Sequence, residues 1–200
     1  MRLFRPVFLE RWLYSDALFR IKGTEKTLYL TFDDGPDPGS TRKLLDILDK
    51  HDIKAQFFCS GLAAEQHPDI VKDIIIRGHL LGNHGFHHLS GWETPSEKYI
   101  SDVSDAAKFT SPDYFRPPYG RLRFCQYRLL KKKYKIVFWD LMPYDFDLTF
   151  GSGRVLRTLK RKIRPGSIIV LHDTSNSLAG EILEEFIEFA LKEGYRFGLL

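Results

Sequence analysis

The chain has two cysteines, Cys59 and Cys125, far apart and in no CxxC spacing. That excludes a disulfide framework and a cysteine zinc site as organising devices, and it leaves the redox compartment open. No apolar run approaches the ~20 residues that span a bilayer, so a transmembrane helix is excluded as well. Low-complexity segments and short internal repeats are missing too. The basic, aromatic start MRLFRPVFLERWLYSDALFR is interrupted by Arg5, Glu10 and Arg11 before any run long enough for a signal-peptide core, and no small-residue cleavage site follows. On this ground a cytoplasmic location is expected. A large excess of either charge sign is missing too, 30 Lys and Arg standing against 26 Asp and Glu for a net +4. The basic clusters at 131–133 and 157–164 lack interleaved aromatics and read as solvated helix faces, so no nucleic-acid partner is expected.

What is present is a globular composition, 43% hydrophobic and 28% charged over 200 residues, enough to bury one core without staples. A monomer is expected. Along the chain, β-rich runs alternate with runs of helical apolar spacing. TLYLTF (27–32), KAQFFC (54–59), LLGNH (80–84), YFR (114–116), KIVFWD (135–140) and GSIIVLHD (166–173) read as strands, with a last short strand at 195–197. Helices are expected at 40–51, 67–78, 95–110, 124–130, 155–162 and 181–193, several of them opened by Ser or Pro. Such alternation predicts an α/β fold with a parallel sheet, either an open doubly wound sheet or a closed β/α barrel. Either one gathers functional residues at the carboxyl ends of its strands. FDDGP, NHGFHH, RPPYG, DLMPYDFD and LHD all fall at those ends, and their convergence weighs more than any one of them.

In FDDGP the adjacent Asp33 and Asp34 would point to opposite faces of a continuing strand, so they can share a site only if the strand ends there, which Gly35 and Pro36 provide. A helix-capping pair is the bland alternative. His84 and His88 stand four apart with His87 between them. Two neutral imidazoles and one carboxylate, for which Asp34 is a candidate, are a zinc set that leaves positions open for water and substrate. Metal-assisted hydrolysis is the matching reaction class.

With FDDGP, HGFHH, RPPYG and LHD in this order, the sequence resembles the polysaccharide deacetylase family, the NodB homology domain of carbohydrate esterase family 4. The resemblance runs from about Lys26 to the C-terminus, so residues 1–24 read as an N-terminal extension and 25–200 as the catalytic domain. It implies a distorted, incomplete (β/α) barrel of about seven strands, and hydrolysis of acetyl groups from N- or O-acetylated sugars. A divalent metal is implied, usually Zn2+, with Co2+ or Ni2+ as alternatives. Carried onto this chain, Asp33 becomes the general base and Asp34, His84 and His88 the metal ligands, with His87 a spectator. Arg116 would orient Asp33, the backbone N–H of Tyr119 would bind an oxyanion, and Pro117 would help line the substrate site. His172 would be the general acid and Leu171 the apolar wall beside the acetyl methyl. Asp145 would pair with His172, although Asp140 and Asp147 compete for that role. Trp139 fits a sugar subsite and core packing equally well.

Three positions depart from the family pattern: Gly85 replaces a loop-fixing Ser or Thr, Leu89 a frequent Pro, and Phe146 a common Trp. The leading expectation is a deacetylase of N-acetylhexosamine glycans such as peptidoglycan or chitin-like polymers. An acetylxylan-type esterase and a non-catalytic carbohydrate-binding module are the alternatives. Because such polymers lie outside the cytoplasm, envelope association or peripheral membrane contact through the basic N-terminus competes with the cytoplasmic expectation.

Overall fold

The computed structural model describes residues 4–6, 8–23, 25–111 and 113–200, with the side chains of 8–10 excepted. Residues 1–3 and 7 of the basic N-terminal stretch, to which membrane contact was ascribed, therefore lie outside the described residues.

Seven strands form a single parallel sheet: β1 (Thr27–Asp33), β2 (Gln56–Cys59), β3 (Leu80–Asn83), β4 (Tyr114–Phe115), β5 (Lys135–Ile136), β6 (Ile168–His172) and β7 (Arg196–Phe197). Their order is β5-β4-β3-β2-β1-β6, and β7 pairs with Thr27 and Leu28, below the point where β2 joins β1. The α-helices among the described residues are α1 (Phe8–Leu13), α2 (Thr41–Lys50), α3 (Gly61–Gln66), α4 (Pro68–Ile76), α5 (Ser96–Ala106), α6 (Phe124–Leu130), α7 (Ser152–Lys162) and α8 (Ala179–Lys192). The fold is the expected distorted, incomplete (β/α) barrel.

Period-two alternation sorts the side chains of β1. Leu28, Leu30 and Phe32 join the outer core under α2, α7 and α8, with Ile169 and Leu171 of β6. Tyr29 points the other way, where it packs with Phe58, Val137 and Ile168 inside the curl of the sheet. Thr31 and Asp33 follow on that inner face, so the interior changes from apolar to polar toward the carboxyl ends.

Between β5 and β6 the curl is closed only by single bridges. Leu141 pairs with Ile169, and the incoming chain fills the rest, Leu18 pairing with Val137 and Arg20 with Ser167. Tyr14 and Phe19 are buried there, Phe19 stacking on Phe138 at 4.7 Å between centroids.

Two local expectations need correction. The strand expected over 135–140 keeps Lys135 and Ile136 in the ladder with β4, which itself spans Tyr114–Phe115, and beyond them the carbonyls of Val137 and Phe138 accept from Arg116 at 3.3 and 3.1 Å. Helix α3 was not anticipated, although Ser60 caps it by accepting from Ala63 N at 3.3 Å.

Candidate active site

The polar motifs meet at the carboxyl end of the sheet. Asp33 is the last residue of β1 and in register with His172, the last residue of β6. Asp34 then takes a left-handed backbone, φ 78°, which turns its side chain to the same end as that of Asp33. The next residue has no room for a side chain: a Cβ on Gly35 would lie 2.2 Å from Asp173 Oδ2. Thus β1 does end where two neighbouring carboxylates need it to end.

His84 follows β3, and its Nδ1 lies 2.8 Å from the carbonyl oxygen of Arg116. A carbonyl can only accept, so Nδ1 carries a proton and the ring turns Nε2 toward Asp34. That Nε2 and His88 Nε2 approach Asp34 Oδ1 to 3.5 and 3.1 Å. Asp34 Oδ1 is nonetheless buried without a hydrogen-bond donor among the described residues. Burial would raise the Asp34 carboxyl, but the two imidazoles outweigh it and hold the group far below the usual carboxylate range. One carboxylate and two imidazoles, each with a ligand atom within 4.8 Å of the others, are a donor set that fits a divalent ion. His87 is turned elsewhere, its Nδ1 lying 2.7 Å from Asp102 Oδ1.

Arg116 is fully buried and spends its guanidinium on the inner wall. Nη1 donates to Asp33 Oδ1 at 2.6 Å and to Thr31 Oγ1 at 2.8 Å, and the group lies 4.1 Å from the ring centre of Phe58. One residue therefore fixes Asp33 with its side chain and His84 with its carbonyl. Asp33 Oδ2 stays free of the arginine, 3.9 Å from His84 Nε2.

His172 stands beside Asp33 on the neighbouring strand. Its Nδ1 lies 3.0 Å from Asp145 Oδ1, and its backbone N–H donates to Asp145 Oδ2 at 2.7 Å. Burial lowers the imidazole, but the charge and hydrogen bond of Asp145, with Asp34 and Asp33 beyond, push it up to about 9. It is therefore cationic at neutral pH with Nε2 as the remaining donor. The competitors of Asp145 are committed elsewhere: Asp140 to arginines, Asp147 to the N–H of Thr149 at 3.1 Å.

Asp33, Asp34, His84, His88 and His172 line a cavity of about 320 Å³ together with Pro117, Tyr119 and Trp139. Tyr119 has φ 59°, and its ring meets that of His88 at 4.5 Å. Leu171 lies apart from the rest: with His172 facing inward, its neighbour faces outward, fully buried in the outer core. Phe146 and Met142 supply apolar wall instead, Phe146 packing edge-on against His172 at 4.8 Å.

Sequence reasoning missed three supporting side chains. Asn83 accepts from Gly85 N at 2.8 Å. Asp102, buried on α5, accepts from Phe86 N at 2.8 Å and His87 N at 3.1 Å, so it braces the histidine loop without any motif to announce it. Gly85 adopts φ 76°, and a Cβ there would stand 3.0 Å from Asp102 Oδ2. Asp173 Oδ2 accepts from the hydroxyl of Thr41 at 2.6 Å, and burial pushes its carboxyl up to about 7.

An incomplete parallel barrel with a carboxylate–imidazole cluster at its strand ends defines the class, a single-domain (β/α) half-barrel with a hydrolase-type cavity. Comparison with known proteins makes the assignment specific. The polysaccharide deacetylase family model matches residues 20–135. A peptidoglycan-N-acetylglucosamine deacetylase of Bacillus cereus is 31% identical, the match covering 90% of this chain and 88% of that one. The peptidoglycan-N-acetylmuramic acid deacetylase PdaA of Bacillus subtilis is 34% identical over 91% of this chain and 73% of its own. A crystal structure of the Bc1960 peptidoglycan N-acetylglucosamine deacetylase superposes with a TM-score of 0.88 at 28% identity, covering 98% of this chain and 95% of that one. This chain belongs to the polysaccharide deacetylase family.

Proposed function

We propose that the protein hydrolyses the acetamido group of N-acetylhexosamine residues in a glycan of peptidoglycan or chitin type. One observation carries the reading: the register pairing of Asp33 with His172, which sets a carboxylate next to a cationic imidazole, beside the donor set of Asp34, His84 and His88.

The roles follow from what amide hydrolysis requires. Those three donors would hold a divalent ion, zinc by their chemistry, which supplies Lewis acidity toward a carbonyl and acidifies water. Asp33, oriented by Arg116, accepts the proton of the attacking water at Oδ2. His172 delivers a proton from Nε2 to the departing amine, and Asp145 keeps the ring charged and aimed. Tyr119 offers its backbone N–H toward the oxyanion, and Pro117 and Trp139 bound the sugar's place in the cavity. The acetyl methyl rests against Met142 and Phe146 in the role first given to Leu171. All of these residues come from one chain, so the site works in a monomer. The peptidoglycan named for the relatives points to a substrate in the envelope.

The test is acetate release from peptidoglycan, chitooligosaccharide and acetylxylan, with and without a chelator, and with Asp33→Asn as control. Release from N-acetylated glycans that chelation and the substitution both abolish is expected. Release indifferent to both overturns the mechanism, and release from acetylxylan alone moves the reaction to the ester.

A further inference from the structure

The charged groups deep in the cavity already answer one another, Arg116 to Asp33 and Asp145 to His172, with Asp34 between two imidazoles. Arg121 does not belong to that set. Among the described residues lining the cavity it is the charged side chain left over. Its guanidinium lies 5.7 Å from the ring centre of Tyr119 and 5.4 Å from that of Trp92. Because the Tyr119 ring itself meets His88, a continuous surface runs outward from the donor cluster through Tyr119 and Arg121 to Trp92. Both outer rings are open to solvent, Tyr119 at 60% and Trp92 at 55%.

This rim is braced. Gly91 N donates to Arg121 O at 3.1 Å, Trp92 Nε1 to Leu122 O at 3.3 Å, and Arg123 Nη2 to Trp92 O at 2.7 Å. The guanidinium is thus presented on a fixed loop between two rings. Its ion-pair partner is Glu93, at 3.0 Å and with a side chain 73% exposed. Exposed pairs of this kind contribute little, so a ligand anion can take the place of Glu93. A planar guanidinium recognises a carboxylate through two parallel N–H bonds, while the aromatic faces on either side suit the C–H faces of sugars. A wholly neutral glycan would cover the rings and leave the cation unused.

Resting on the deacetylase reading above, we infer that Arg121, with Trp92 and Tyr119, forms a subsite for a carboxylate-bearing sugar adjacent to the N-acetylated sugar in the cavity. The preferred substrate is therefore an anionic glycan. Two sources supply such a carboxylate, the lactyl ether of a muramic acid and the C6 carboxyl of a uronic acid.

The test uses zinc-loaded protein and three oligosaccharides of equal length: all N-acetylglucosamine, alternating N-acetylglucosamine and N-acetylmuramic acid, and N-acetylglucosamine alternating with a uronic acid. Binding is measured by calorimetry in an Asp33→Asn background to slow turnover, with Arg121 intact, Arg121→Gln and Arg121→Lys. The intact rim is expected to bind at least one anionic oligomer about tenfold tighter than the neutral one, and Arg121→Gln to remove that preference. Arg121→Lys, a point charge without the fork, should keep part of it. Which acid is preferred identifies the source of the carboxylate. Acetate release by the unsubstituted protein on the same oligomers is followed in parallel. Absence of release overturns the deacetylase reading, while the binding ratio still decides the role of Arg121. Equal binding of neutral and anionic oligomers, or a preference that survives Arg121→Gln, overturns the subsite.

Discussion

Two buried aspartates in this barrel are held by arginine, and they are held to opposite ends. Asp140, fully buried near the start of β6, has both oxygens filled. Arg5 Nη1 reaches Oδ2 at 3.0 Å, Arg11 Nη2 reaches Oδ1 at 2.9 Å, and Arg164 and the hydroxyl of Ser167 complete the set. Burial alone would raise its carboxyl, but those donors hold it below the ordinary range. It ties the incoming chain to the barrel and has nothing left to react with. Asp33 receives one arginine on one oxygen and keeps the other toward the cavity. Proximity to arginine therefore does not mark a catalytic carboxylate. What marks it is an oxygen left unspent where water and substrate can arrive.

Neutralising each aspartate separates the two uses. Asp33→Asn should lower the rate of acetate release by about a thousandfold, the scale of a lost general base, and it should also cost about 3 kcal/mol of stability because the fully buried Arg116 loses its counter-charge. Asp140→Asn should cost stability and spare the rate. It leaves Arg5, Arg11 and Arg164 without their shared counter-charge, though with 27–38% of each side chain exposed they can reach water. A loss of about 2–3 kcal/mol in denaturant unfolding is expected, with release rates at 25 °C within about twofold. Equal damage to the rate in both variants would erase the distinction.

The next effect is on pH dependence. The folded-state pKa of His172 is raised to about 9 from 6.5, so its cationic form is present throughout neutral pH and lost as pH rises through about 9. The stability it contributes follows the same sign, complete below about 6.5 and gone above about 9. Release of acetate should thus fall on an alkaline limb governed by this group. Asp145→Asn removes the main raising influence and leaves the lowering effect of burial, so the limb should move down by about one pH unit or more. A limb that does not move would mean that another group is the acid.

The sequence made some of this legible and withheld the rest for definable reasons. Strand alternation with a Gly-Pro stop was enough to expect Asp33 and Asp34 at one site, since both rules act over two or three residues. The family resemblance sets Leu171 beside the acetyl methyl, but adjacency to the inward-facing His172 along a strand means the opposite face, where Leu171 is buried in the outer core. Spacing could not choose among Asp140, Asp145 and Asp147, because the choice depends on which loop returns over β6 and which arginines wait below it. Nothing local to 135–140 signals where β5 stops, because its length follows from a partner, β4, that ends at Phe115 about twenty residues earlier. Gly85 was noted as a departure, but its counterpart Asp102 sits on a helix with no motif of its own.

That last pair gives the smallest and most specific expectation. The loop from Gly85 to His88 carries one of the two imidazole donors and begins beside the other. It is fixed by Asp102, which takes the N–H groups of Phe86 and His87 and the ring of His87. Gly85 supplies the left-handed turn and the space that carboxylate occupies. A Cβ at 85 would crowd the carboxylate at 102, so in this chain the glycine and the aspartate fit one another. Asp102→Asn keeps an acceptor for one N–H but loses the charge and the bond to the His87 ring, so zinc affinity should fall by about tenfold, as for a partner that orients a metal ligand. His87→Ala removes only the outermost contact, on a ring 62% exposed, and should weaken zinc binding by about threefold or less. Competition with a chromogenic chelator measures both. If His87→Ala costs as much as His84→Ala, His87 is a ligand and the donor set has been misassigned. If Asp102→Asn costs nothing, the loop is held by Asn83 and its own backbone.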